Sequence, residues 1–122
     1  MGKPFTFPLL LYERLLMKEG TFQNDLINEI KREFPGCIVL KNDAGYIQGI
    51  PDLLVLYRNT WAALECKKNE KASRRPNQEY YVNKMNKMSY ARFVYPENKE
   101  EVLNELQRTF RVRRLSRIFI TK

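Results

Sequence analysis

Residues 49–67 read Gly49-Ile50-Pro51-Asp52-Leu53-Leu54-Val55-Leu56-Tyr57-Arg58-Asn59-Thr60-Trp61-Ala62-Ala63-Leu64-Glu65-Cys66-Lys67. The unbroken apolar run Leu53–Tyr57 has the character of a buried strand. Arg58-Asn59-Thr60 reads as a turn, and Trp61–Lys67 as the hairpin partner. Three polar residues interrupt this apolar pattern. Asp52 opens the first strand, directly after Gly49-Ile50-Pro51, and Glu65 and Lys67 close the second. Side chains alternate along a strand, so Glu65 and Lys67 share one face and Cys66 points to the other. Pairing of the two runs brings residues 52 and 66 to one sheet end and makes Asp52 and Glu65 close neighbours.

The rest of the chain supplies elements to cover this hairpin. Downstream, a basic loop over 68–75 leads to Pro76, which suits the first turn of a helix running to about Met88. The expected inner face of that helix is Tyr80, Tyr81, Met85 and Met88. Ala91–Tyr95 reads as another strand, stopped by Pro96. Asn98 then caps a last helix with the stripe Val102, Leu103, Leu106 and Phe110. The tail Val112–Ile120 is read as an added strand. Upstream, apolar residues from Leu9 to Phe34 keep helical spacing. Gly20 offers a break there, Thr21 a cap for a second helix, and Pro35-Gly36 a stop. Cys37–Leu40 is a short β-type run followed by the polar loop Asn42–Gly45. The order helix, three strands, helix, strand, helix describes an α/β domain with a mixed central sheet between helices.

Composition narrows the chemistry. The 122 residues carry 22 Lys+Arg against 14 Asp+Glu, no histidine and two cysteines. That length suits a single domain. Without histidine there is no Ser-His-Asp or Cys-His site, no HExxH zinc site and no imidazole base. Catalysis would rest on carboxylates, lysine, hydroxyls or an oxygen-held metal. Cys37 and Cys66 lie in apolar runs and make no disulfide framework, so the expected location is intracellular, in the cytoplasm. The longest aliphatic run near the start, Leu9-Leu10-Leu11, is too short for a signal sequence or a membrane span. Residues 67–92 and 108–122 each hold a net charge of +6, while the remainder sums to −4. Two basic blocks on a slightly acidic body suit either a polyanion partner, most simply nucleic acid, or an ordinary solvated surface.

Two neighbouring carboxylates repel unless positive charge lies between them. Lys67 supplies one charge, and a hard divalent ion such as Mg²⁺ or Mn²⁺ supplies two. Such an ion activates water and stabilises charge on a scissile phosphate, work that needs no histidine. The bare pattern Asp-x12-Glu-x-Lys also arises by chance as a surface salt bridge. Its place on adjacent buried strands, before a basic loop, favours the site.

Gly49-Ile50-Pro51-Asp52 followed by Ala63-Leu64-Glu65-Cys66-Lys67 resembles the PD-(D/E)XK nuclease superfamily, whose fold is a restriction-endonuclease-like αβββαβ core. The fuller pattern looks like its VRR-NUC branch, itself similar to archaeal-type Holliday-junction resolvases. Glu19-Gly20-Thr21-Phe22-Gln23 matches that branch's Glu-x-x-apolar-Gln helix, and Pro76-Asn77-Gln78 its Pro-x-Gln helix start. The four motifs stand in the family's order over about 19–95. The resemblance thus implies one nuclease domain over 1–122, with a helical extension over 1–18 and a C-terminal helix and basic tail over 96–122.

Carried over by position, the resemblance implies Asp52, Glu65 and the Cys66 backbone carbonyl as metal ligands and Lys67 as the catalytic lysine. It also implies Glu19 near the metal or its waters, and Gln78 on the water network or DNA backbone. Glu19 lies on the apolar stripe of the first helix, where an unpaired acid is costly; the other reading is a frayed helix end with Glu19 in solvent. Glu29 competes for this role but falls off the stripe and is expected to be exposed. Two departures stand out: Gly20 weakens the helix carrying Glu19, and Arg75 occupies the position of a good N-cap.

The loop after Lys67 offers Lys68, Lys71, Ser73, Arg74 and Arg75 to phosphates, with Arg113 and Arg114 (flanked by Arg111 and Arg117) extending the track along a second duplex arm. Nothing resembles a base-reading helix, so structure selectivity is expected. The leading reading is a Mg²⁺- or Mn²⁺-dependent endodeoxyribonuclease for branched DNA, a Holliday junction resolvase of the kind used in recombination and repair. The others are a flap, nick or duplex nuclease, and a catalytically silent DNA-binding module. The apolar excess of Phe5–Met17 either covers the core or forms a homodimer interface; resemblance to symmetric resolvases favours the dimer.

Overall fold

The computed structural model of the chain describes residues 20–121, with side chains through residue 111. Glu19, the extension over 1–18 and the dimer segment Phe5–Met17 lie outside the described residues. Helix α1 (20–33) takes Gly20 and Thr21 inside it, so Thr21 is not a cap. Phe22, Leu26, Ile27, Ile30 and Phe34 make its packed stripe, the spacing of an amphipathic helix. Past Pro35, Gly36 adopts φ +91° and turns the chain into the sheet.

The sheet has four strands in the order β1 (Ile38–Lys41), β2 (Leu53–Tyr57), β3 (Thr60–Cys66), β4 (Tyr90–Val94). The first three are antiparallel, and β4 lies parallel to β3. A parallel neighbour needs a crossover, and α2 (Pro76–Met88) provides it. The hairpin turn is Arg58-Asn59 alone, with Arg58 at φ 58° and Thr60 already paired to Tyr57. The sequence suggests a three-residue turn, and the difference matters because loop length sets register. With two residues, Leu53 faces Leu64, and one step further Asp52 comes opposite Glu65.

Both sheet faces are covered. On one, Leu53, Val55, Ala62, Leu64 and Val94 meet α1 and Val102, Leu103, Leu106 and Phe110 of α3 (Lys99–Thr121). Phe34, Tyr57 and Phe110 close that core with ring centroids 5.0–5.4 Å apart, a geometry aromatic edges favour. On the other face, Ala63, Ala91 and Phe93 pack under Val82 of α2, flanked by Leu54, Trp61 and Met85. Tyr80 and Met88, expected inside, are 54% and 62% exposed. The buried stripe instead keeps the i, i+4, i+7 spacing Gln78, Val82, Met85, from which 80 and 88 are rotated away.

Asn98 ends a single 3-10 turn (Pro96–Asn98) that leads into α3. Its amide accepts the Tyr95 N–H at 2.8 Å and donates to the Phe93 carbonyl at 3.0 Å. The tail is not an added strand: α3 continues to Thr121. Val112, Leu115 and Phe119 recur at helical spacing, which outweighs the local β-type composition. Among the described residues, no helix is long and apolar enough to cross a membrane.

Candidate active site

The polar residues at the end of the hairpin converge. Asp52 and Glu65 face one another across β2 and β3. Asp52 Oδ2 accepts the Cys66 N–H at 3.0 Å, and the Asp52 carbonyl accepts the Asn42 N–H at 2.8 Å. Glu65 is only 3% exposed, and its Oε1 is buried with no hydrogen-bond partner. Its other oxygen accepts the Gln78 amide at 3.1 Å and lies 4.0 Å from Lys67 Nζ. Gln78 Oε1 in turn accepts Lys67 Nζ at 2.8 Å and the Arg75 N–H at 3.0 Å. One amide therefore uses both lone pairs of its oxygen. It joins acid to lysine and supplies the N-terminal bond that Arg75, a poor capping residue, leaves to its neighbour.

Burial is the main cause that lifts the Glu65 carboxyl to about 7; the Asp52 charge adds to it and Lys67 opposes it. Burial likewise pushes the Cys66 thiol up to about 12, reinforced by Asp52 and Glu65. Cys66 therefore stays a neutral thiol and offers no thiolate for nucleophilic chemistry. Both cysteines are free and half-buried.

The donor set suits a hard cation. Among the described residues, no group of three His, Cys, Asp or Glu side chains gathers around a common point. Asp52 and Glu65, with the Cys66 carbonyl at the strand end, match Mg²⁺, which takes one or two carboxylates and keeps its waters. The orphaned Glu65 Oε1 fits the same reading, since a buried carboxylate oxygen without a donor is costly unless a cation meets it.

Two cavities open on Asp52. One, of about 420 Å³, is lined by Ala44, Gln48, Gly49 and Ile50 on one side and Arg75, Pro76, Asn77 and Gln78 on the other, with Glu65 between. The second, of about 260 Å³, brings Gly20, Phe22 and Gln23 of α1 to Asp52, Cys66 and Lys67. Gln23 stands beside the Cys66 side chain there. Gln23 closes the motif Glu19–Gln23, and its place one residue after Phe22, at the edge of the apolar stripe, is the sequence signal for its position at the site. Gly49 is another residue of the site without an assigned role. It adopts φ +90°, and a Cβ there would stand 2.4 Å from Asn77 Cβ.

The expected phosphate contacts diverge. Lys68, Lys71 and Ser73 are exposed on a loop turned by Asn69, whose Oδ1 accepts the Lys71 N–H at 2.9 Å. Arg75 lines the cavity beside the carboxylates. Arg74 lies over the Phe93 ring, 4.1 Å from its centroid, in a separate cavity with Arg92. Arg113 and Arg114 fall on α3, beyond the described side chains. Glu29 is half-buried rather than exposed, and Lys99 pairs with it at 2.9 Å.

Comparison of the sequence with protein-family models and with curated proteins finds no match. Solved structures do match. One described as a "VRR_NUC domain" is 28% identical with a TM-score of 0.56, over 71% of this chain and 95% of that one. A "VRR_NUC domain protein" superposes at a TM-score of 0.56 over 77% of this chain and 88% of that one; at 16% identity this likeness concerns the fold alone. The three-stranded meander, the crossover helix and the parallel fourth strand, with acids at the Asp52 end, are a PD-(D/E)XK nuclease-like fold. Within that class the chain is similar to VRR-NUC-type domains, and that likeness supports a nuclease-type module.

Proposed function

We propose that this chain, as one nuclease domain over 1–122, is a Mg²⁺- or Mn²⁺-dependent endodeoxyribonuclease acting on branched DNA, four-way junctions above all. The observation that carries the reading is the pairing of Asp52 with the buried, half-satisfied Glu65 beside a lysine anchored by Gln78. Asp52, Glu65 and the Cys66 carbonyl would hold the ion. When bound, such an ion supplies an activated water and charge neutralisation at the phosphate. Gln78 fixes the Lys67 ammonium beside Glu65, so that it meets either the attacking water or a phosphoryl oxygen without first being ordered. Arg75, at the mouth of the larger cavity, is suited to the flanking phosphate, and the exposed loop carrying Lys68, Lys71 and Ser73 to the backbone beyond. Glu19 is assigned to the ion or its waters, through the motif it shares with Gln23.

A four-way junction presents two equivalent strands for cutting, and a two-fold homodimer would offer a site to each. The likeness to resolvases supports that substrate, and the two free cysteines support an intracellular setting. The test is cleavage of a synthetic four-way junction and a linear duplex of the same arm sequence, with Mg²⁺ or with EDTA. Paired junction nicks that vanish in EDTA and in Asp52→Asn are expected. Lys67→Ala should abolish turnover with junction affinity largely kept. Equal cutting of both substrates would mark a general duplex nuclease, and binding without cutting a silent DNA-binding module.

A further inference from the structure

The cleft at Asp52 has two walls of opposite chemistry, and only one of them suits phosphate. Among the described residues, the cations lining the two cavities at Asp52 are Lys67 and Arg75, both from the segment 67–75. The facing loop, residues 42–52, contains no lysine or arginine at all. It contributes Ala44, Gln48, Gly49 and Ile50 to the cavity of about 420 Å³, opposite Pro76 and Asn77. Away from Arg75, Gln78 and the two carboxylates, which line its inner end, the cavity presents small apolar surfaces with the side-chain amides of Gln48 and Asn77, a lining that suits a flat, hydrogen-bonding ring.

The loop is also held in place. Asn42 donates its N–H to the Asp52 carbonyl and its side-chain amide to the Pro51 carbonyl, both at 2.8 Å. Asp43 Oδ1 accepts the Gly45 N–H at 2.8 Å, and the Asp43 carbonyl accepts the Tyr46 N–H at 3.0 Å. The one acidic group of the loop tip is thus turned back into its own backbone. Gly49 lies directly against Asn77, with no room for a side chain. Between the cavity-lining Ala44 and Gln48 stands Tyr46, 85% exposed. A large aromatic ring held in water on a pinned loop offers a face on which a flat ring can stack.

We infer that the cavity between loop 42–50 and the start of α2 is a nucleobase subsite. It takes one nucleotide next to the scissile phosphate out of the helical stack, with the exposed Tyr46 of the same loop as the stacking surface and Gln48 and Asn77, in the cavity lining, facing the base edge. This rests on the nuclease reading above and adds a source of structure selectivity. Removing a base from a continuous duplex costs stacking and pairing energy, whereas a branch point has already lost part of both. Base-on-aromatic stacking is indifferent to sequence, in keeping with recognition of shape.

The experiment places 2-aminopurine, whose emission rises on unstacking, at the nucleotide beside the cleaved bond of a four-way junction. Emission is read in EDTA at protein concentrations that fully shift the junction on a gel. A rise of about threefold or more with the wild-type chain is expected, together with a much smaller rise for the same label in linear duplex. Tyr46→Ala should lower the junction-to-duplex ratio of kcat/KM about tenfold, and Tyr46→Phe should restore it. The unfolding midpoint of both variants should stay at the wild-type value. Unchanged emission on a fully shifted junction, or an unchanged ratio in Tyr46→Ala, overturns the subsite and leaves the nuclease reading intact. A junction that never shifts, or cleavage that survives in Asp52→Asn, overturns the nuclease reading and the subsite with it.

Discussion

Glu65 sits between two opposing demands. β3 buries it, and Asp52 faces it with a like charge, so the fold prefers its neutral form and raises its pKa from 4.5 to about 7. Proton linkage then fixes a direction. Below about pH 4.5 the folded and unfolded chains both carry the proton, and this residue costs nothing. As pH rises through about 7 the folded chain also gives it up, and stability falls by at most about 3 kcal/mol, taking about 1.4 kcal/mol per pK unit. Metal-free wild type should therefore lose stability relative to Glu65→Gln between pH 5 and pH 8, as read by urea unfolding in EDTA. A difference that stayed flat or grew in favour of wild type would mean that Glu65 is not held in this environment. Divalent ions should reverse the trend, since binding to the ionised pair offsets its repulsion. Alternation along the strand was enough to foretell that Glu65 and Lys67 share a face. The unsatisfied Oε1 was not legible, because it depends on what α2 places above the strand.

At the scale of elements, the start of α2 organises the site. Gln78 belongs to the helix by its backbone and to the active site by its amide, which bonds Lys67, Glu65 and Arg75. Gln78→Ala should lower kcat by about 10- to 100-fold with a smaller change in KM, the usual effect of losing a group that orients a neighbour. The lost cap bond should cost about 1 kcal/mol in unfolding. A variant affected only in KM would place Gln78 on the DNA instead. The same helix start receives the loop before β2 through Gly49. Alanine there meets Asn77 side chain and backbone at 2.4–2.9 Å in a left-handed conformation, and Gly49→Ala should lose roughly 2–4 kcal/mol of stability. Wild-type stability in that variant would show that the loop does not rest on α2. Strand order and helix positions were readable because apolar periodicity reports burial directly. The inner face of α2 was not: Tyr80 and Met88 look like core by composition but point to solvent. The contact of Gly49 with Asn77 joins residues far apart in sequence, beyond any local pattern.

Across the whole molecule, the two basic blocks separate. α3 starts beside the carboxylate end of the sheet, where Asn98 binds the Phe93 carbonyl. By Phe110 it has reached Tyr57 at the hairpin end. Arg113 and Arg114 follow three and four residues later on α3, further along its course away from the carboxylates. At about 3.3 Å per residue the seven residues of β3 span roughly 23 Å, comparable with the width of one DNA duplex. A single arm at the carboxylates would thus meet Arg75 and the 68–73 loop, while only a second arm would reach the α3 arginines. Salt dependence separates these contacts, because each phosphate neutralised contributes about 0.9 to the slope of log K against log salt. Arg75→Ala with Lys71→Ala should flatten the slope by about 1–2 on a short linear duplex and on a four-way junction alike. Arg113→Ala with Arg114→Ala should flatten it only on a junction whose arms are long enough to pass the hairpin end. Equal effects of the α3 pair on both substrates would mean that one duplex runs along the full sheet. No effect on either would remove α3 from the DNA path and leave binding to the loop beside the active site.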